Sequence, residues 1–274
     1  MNFSLEPLAI TYKAGRPDKR PVLFVHGNTQ NDTCGQSVIE FFENKGHTVC
    51  SYDLPGHGES ELESENYQFS DLIDLNHKII EHYHLKEPIL CGHSIGSMIQ
   101  SGTIAKYNLK EASLIVFGGL DGDPVTTARA NGMNDLAEAM DSSLSAYIEE
   151  GAKLFKRQKK YDYFANREVD ESITQIINLR NTPPAAGGTN LNTLSGFSAR
   201  NQLIDLNTPI LVLHGEAEEV IPKALVIQMV SEYQNIKAEW YPAGGHCAFY
   251  QQPQLTVQYL TKHYEFVTAA SIDE

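Results

Sequence analysis

The apolar positions of this 274-residue chain fall into short unbroken blocks separated by amphipathic stretches. Val22-Leu23-Phe24-Val25, Ile89-Leu90-Cys91, Ala112 to Phe117 and Ile210-Leu211-Val212-Leu213 show little or no alternation and are bounded by Pro, Gly or polar residues. Strands buried on both faces of a parallel sheet read this way. His47–Tyr52 and Lys237–Tyr241 are further strands, and two short ones are expected around Phe3–Leu5 and Leu8–Lys13. Helical stretches lie between the blocks: residues 36–46, a segment N-capped by Ser70 or Asp71 and running to about His84, Ser97–Tyr107, Pro222–Tyr233, and a final helix to about Val267. From Asp121 to about Asn207 the alternation stops in favour of several short helices, with loops at Thr182-Pro183-Pro184 and Gly187-Gly188. The pattern predicts an α/β domain made of residues 1–120 and 208–274. Its mostly parallel central sheet carries helices on both faces, and a helical lid, residues 121–207, interrupts it.

Composition narrows the function. Acidic residues number 35 against 21 basic ones, a formal net charge of -14, which opposes binding to nucleic acid or anionic membranes. No apolar run approaches the ~20 residues of a membrane span. Residues 1–20 lack an apolar secretory stretch, and Cys34, Cys50, Cys91 and Cys247 form no CxxC pair, so a reduced, cytoplasmic compartment is expected. Against the acidic background, Lys153, Lys156, Arg157, Lys159 and Lys160 cluster in the insertion. They read as a solvated helix face, or else as a field that attracts an anionic substrate or an acidic carrier protein.

Chemistry concentrates at Gly92-His93-Ser94-Ile95-Gly96, a G-x-S-x-G run between a strand and a helix. The two glycines allow a sharp turn that leaves Ser94 at its tip, with the helix N-terminus aimed at the reacting centre. A nucleophilic serine needs a base. His246, after Gly244-Gly245 on the loop that follows the last strand, fits. His57, His77, His82, His84 and His263 read as surface or satisfied core residues, and His26 and His214, before glycines at strand ends, as structural. The base needs an acid, and three carboxylates crowd Glu216-Ala217-Glu218-Glu219. Glu218 suits the order Ser94, Glu218, His246, while Asp121 or Asp123, after the strand ending at Phe117, is the rival. The backbone N–H groups of Ile95 and Asn28 are the candidates to meet a developing oxyanion, and the Asn28 side chain could also reach the site. The reading needs no cofactor and no metal.

These residues, with His26-Gly27-Asn28 and Asp53-Leu54-Pro55-Gly56-His57-Gly58-Glu59-Ser60, make the chain resemble an α/β-hydrolase-fold enzyme over nearly its full length. The Asp53–Ser60 stretch is similar to that of small carboxylesterases, including pimeloyl-acyl-carrier-protein methyl ester esterases. His26-Gly27-Asn28 resembles haloalkane dehalogenases, but those use an Asp nucleophile followed by Trp where this chain has Ser94 and Ile95. One departure concerns the acid: the family's turn carries Asp where Glu218 stands. The resemblance implies a serine hydrolase acting on a small-molecule carboxylic ester or related acyl compound. The same triad also serves thioesters, lactones, C–C bonds and acyl transfer, and the same fold serves receptors with little turnover.

Overall fold

A computed structural model describes residues 3–119, 134–142, 197–218 and 223–269, with residues 129, 132, 186, 187, 189, 190, 193, 194 and 221. In chain order the elements are β1 (Ile10–Lys13), β2 (Val22–Val25), α1 (Gln36–Asn44), β3 (Val49–Tyr52), α2 (Phe69–His82), β4 (Ile89–His93), α3 (Ile95–Tyr107) and β5 (Ser113–Phe117). Then come α4 (Asn134–Ser142), α5 (Arg200–Asp205), β6 (Ile210–Gly215), α6 (Lys223–Glu232), β7 (Ile236–Tyr241), α7 (Ala248–Gln251), α8 (Pro253–Lys262) and α9 (Tyr264–Thr268). The strands form one sheet in the order β1-β3-β2-β4-β5-β6-β7. Only β1 is antiparallel to its neighbour; every other pairing is parallel.

The unbroken apolar blocks have a direct structural cause. β2, β3, β4, β5 and β6 are buried at every position. Leu23, Val25, Leu90, Leu114, Val116 and Val212 face a cluster completed by α2, α3 and α6. Val22, Phe24, Cys91, Ile115, Phe117 and Leu213 face the opposite cluster, completed by α1 and by Phe249, Leu260 and Val267 of α7, α8 and α9. The two-residue period of a strand thus feeds two separate cores.

Local chemistry moves several boundaries. Phe3–Leu5 is not a strand, although Phe3 is buried. α2 is capped by Gln68, in a reciprocal box with Asp71, so Ser70 and Asp71 lie inside the helix instead of capping it. The expected final helix is three pieces, because Pro253 starts a new helix at its first position, where no N–H is needed. Gly187, expected in a loop, has helical backbone. Of the expected insertion only part falls among the described residues, and the basic cluster from Lys153 to Lys160 lies outside them.

The order β3-β2-β4 places the site. The chain leaves β2 towards one edge through α1 and β3, then returns across β2 to β4. The loops after β2 and β4 therefore diverge from neighbouring strand ends and leave a crevice, the usual ligand position in an open α/β sheet. Gly96 closes the base of this crevice: a Cβ there would lie 2.2 Å from the Val25 carbonyl oxygen. Gly96→Ala should cost about 3 kcal/mol or more, because rigid backbone must move to make room. Urea denaturation checks this, and an unchanged midpoint would show that the approach of α3 to β2 is not tight.

Candidate active site

β4 runs directly into Ser94, and α3 begins one residue later. Ser94 has φ 51° and ψ -120°. A side chain in such a sparsely populated region costs on the order of 1–3 kcal/mol and persists only where its surroundings impose it. Here they do. The Ser94 N–H donates to the Phe117 carbonyl at 2.9 Å, and the Ser94 carbonyl accepts from Ser97 N–H at 2.9 Å and Met98 N–H at 3.3 Å. Ser97 Oγ donates to the Gly92 carbonyl at 2.6 Å. A Cβ on Gly92 would lie 2.4 Å from the Ser97 nitrogen, so only glycine lets the strand and helix meet. The first N–H groups of an α-helix have no partner within it, and here that end of α3 belongs to Ile95 and Gly96.

The loop after β7 brings His246 over the end of β5. Gly118 makes the space: its missing Cβ would sit 3.0 Å from the His246 carbonyl oxygen and 3.2 Å from Nδ1. His246 Nδ1–H donates to Glu218 Oε2 at 2.9 Å. The other carboxylate oxygen, Oε1, accepts from Ile221 N–H at 3.1 Å. His214 steadies that loop by donating from Nε2 to the Ile221 carbonyl at 3.0 Å. Burial pushes the Glu218 pKa up, but His246, His214 and the Ile221 N–H outweigh it and hold the carboxyl below its ordinary range. Glu216 is exposed and lies 3.7 Å from Lys223. Asp121, Asp123 and Glu219 lie outside the described residues.

Asn28 follows β2, but its side chain does not point into open space. Nδ2 donates to the Gly187 carbonyl at 3.0 Å, and Oδ1 accepts from Asn190 Nδ2 at 3.1 Å and lies 3.2 Å from His57 Nε2. Tyr67 donates its hydroxyl to Asn190 Oδ1 and reaches the Ala186 carbonyl at 3.3 Å. Ala186, Gly187 and Asn190 are thereby tied to the loop after β2, and the side chain of Asn28 is occupied by the tie. His26 fixes the same loop from behind. Its Nδ1–H donates to the Gly27 carbonyl at 2.7 Å, and Nε2 accepts from Leu54 N–H at 2.8 Å. Burial lowers the His26 pKa to about 3 and that of His57 to about 4, so both are neutral at physiological pH.

The sequence profile of the family described as "Serine aminopeptidase, S33" matches residues 16–253. The chain belongs to the α/β-hydrolase family. It is 23% identical over 254 residues to a non-heme chloroperoxidase of Burkholderia pyrrocinia, covering 86% of this chain and 89% of that one. Among solved structures it resembles a carboxylesterase of Nitrososphaera gargenis, with TM-score 0.73 and 16% identity over 98% of each chain. It also resembles an esterase of Exiguobacterium antarcticum, with TM-score 0.71 and 17% identity over 93% and 94% of the two chains. Both structural likenesses concern the fold.

His57, expected to be a surface or satisfied core residue, is a buried, hydrogen-bonded one that touches Asn28 in this α/β-hydrolase. One residue of the site was not visible in the sequence. Gln30, buried at 4% exposure, contacts Gly27, His93 and Cys247, and nothing in its sequence neighbourhood marks it. Among the described residues no group of three His, Cys, Asp or Glu side chains converges as a metal site. No helix there is long and apolar enough to cross a membrane.

The Asn28 tie carries its own prediction. Asn28→Ala leaves the Gly187 carbonyl and the Asn190 amide without their partner, which should cost about 1–3 kcal/mol. Thermal unfolding reads it, and an unchanged midpoint would mean that the seating of Gly187 and Asn190 does not depend on Asn28.

Proposed function

We propose that this α/β-hydrolase cleaves a carboxylic ester of a small molecule through an acyl-enzyme on Ser94, with His246 as base and Glu218 as its acid partner. The observation that carries the reading is the 2.9 Å hydrogen bond from His246 Nδ1–H to buried Glu218, on a loop held beside the strained Ser94 turn. With the proton fixed on Nδ1, the imidazole presents an unprotonated Nε2 as a general base. It accepts the Ser94 Oγ proton as Oγ attacks the ester carbonyl carbon. The carbonyl oxygen gains negative charge, and the N–H groups of Ile95 and Asn28 are the donors proposed to meet it. His246 then returns the proton to the departing alkoxide, and an alcohol leaves. A water, deprotonated by the same Nε2, attacks the acyl carbon; the acid departs and Ser94 recovers its proton. Throughout, the Glu218 charge stabilises the imidazolium that forms twice per cycle. That esterases occur among proteins of the same fold is in keeping with an ester substrate.

Since the Asn28 side chain is committed to Gly187 and Asn190, its contribution to the oxyanion is assigned to its backbone N–H alone. Turnover of p-nitrophenyl esters tests the roles. Ser94→Ala should keep the fold and lower kcat by roughly 10⁴-fold or more. Turnover within tenfold of wild type would remove Ser94 from the mechanism. Glu218→Gln should lower kcat by about 10⁴-fold with little change in KM, since a triad acid sets the histidine tautomer. Glu216→Gln, Asp121→Asn and Asp123→Asn should change kcat little. A large loss at Asp121 or Asp123, with Glu218→Gln near wild type, would move the acid to the end of β5.

A further inference from the structure

We propose that Gln30 and His93 are positioning residues that hold the three loops of the reaction centre in register. The proposal rests on the serine-hydrolase reading and adds what makes its parts meet. Gln30 Oε1 accepts from Gly27 N–H at 3.0 Å and lies 2.8 Å from His93 Nδ1. Gln30 Nε2 donates to Cys247 Sγ at 3.4 Å. His93 Nε2 lies 2.9 Å from the His246 carbonyl oxygen. Each contact falls beside or on a proposed reacting residue: Gly27 precedes Asn28, His93 precedes Ser94, and Cys247 follows His246. One buried amide and one buried imidazole thus join loops that are far apart in the chain.

The clasp is tight and buried. His93 is fully buried and Gln30 nearly so. A Cβ on Gly27 would lie 2.5 Å from His93 Nδ1 and 2.8 Å from Gln30 Oε1, so glycine is what admits the pair. The His93 and His246 rings lie 4.7 Å apart at 50°, and Phe249 packs on His93 at 4.8 Å. In such a site polar contacts are stronger than in water and costly to leave unmade. Burial keeps His93 neutral. The ring then has one N–H between two acceptors, Gln30 Oε1 and the His246 carbonyl. Oε1 is already served by the Gly27 N–H, so the proton is assigned to Nε2. With the N–H on Nε2, donating to the His246 carbonyl, the 2.8 Å approach of Nδ1 to Oε1 carries no hydrogen bond, so Gln30 acts through Gly27 and Cys247 and His93 through His246.

Loops placed this way act through others, so their loss should appear in the transition state more than in substrate binding. A displacement near 1 Å can cost about a hundredfold in rate. The test uses Gln30→Met, which keeps the volume and removes both polar atoms, and two variants of His93. His93→Gln retains an N–H donor near the Nε2 position; His93→Asn retains one near Nδ1 only. Gln30→Met and His93→Asn are expected to lower kcat about 10- to 100-fold with KM within threefold. Their affinity for an alkyl boronic acid, which forms a tetrahedral adduct on a nucleophilic serine, should fall by a similar factor. His93→Gln should stay within about fivefold of wild type. If the melting temperature falls while kcat and boronate affinity stay within twofold, the pair is structural only and the proposal is overturned. If Gln30→Met does not fold, the contrast between His93→Gln and His93→Asn decides, and equal kinetics in those two overturn it. Wild-type protein that turns over esters without binding the boronate would instead sink the serine reading.

Discussion

Ser94 keeps φ 51° and ψ -120° because two glycines let backbone come closer than any side chain allows. Gly92 admits the Ser97 nitrogen and Gly96 admits the Val25 carbonyl. The first contact sharpens the strand–helix turn. The second presses the start of α3 against the end of β2, and so sets Ile95 beside the loop that holds Asn28. The positions of Ser94 and of the proposed oxyanion donors are therefore one constraint. The sheet order makes this geometry available, since β2 and β4 are neighbours whose connections run to opposite sides.

The carboxylate buried beside that turn has both oxygens partnered. Glu218 uses one oxygen for His246 and the other for the Ile221 N–H. A buried carboxylate that loses a hydrogen-bond donor is costly, whereas the satisfied group adds little net stability, so this arrangement is better explained by what it positions. The loop after β2 is held from opposite sides. Gly187 and Asn190 grip Asn28 from one, and His26 and Gln30 grip Gly27 from the other. Whatever seats Gly187 and Asn190 therefore bears on the placement of the Asn28 N–H.

Much of this was legible in the sequence where the cause is local. Val22–Val25 and Ile210–Leu213 announce central parallel strands because both faces are buried. The G-x-S-x-G spacing announces the turn because glycine is sterically required on both sides of Ser94. Where the cause is distant, the sequence was silent. Gln68 caps α2 although serine and aspartate follow it, because the reciprocal bond with Asp71 decides. Gln30 gains its meaning from residues 63 and 217 positions away. The Asn28 side chain was free to enter the site on sequence grounds, and only its contacts with Gly187 and Asn190 show it committed elsewhere.

The central claim is that the strained residue at the tip of the turn forms a covalent bond with substrate. Reaction with a fluorophosphonate, followed by peptide mapping by mass spectrometry, tests this most directly. The account predicts one adduct per chain, on the peptide containing Ser94, with ester turnover lost in proportion to labelling. An adduct formed stoichiometrically at another residue, or full turnover by protein labelled at Ser94, would contradict it.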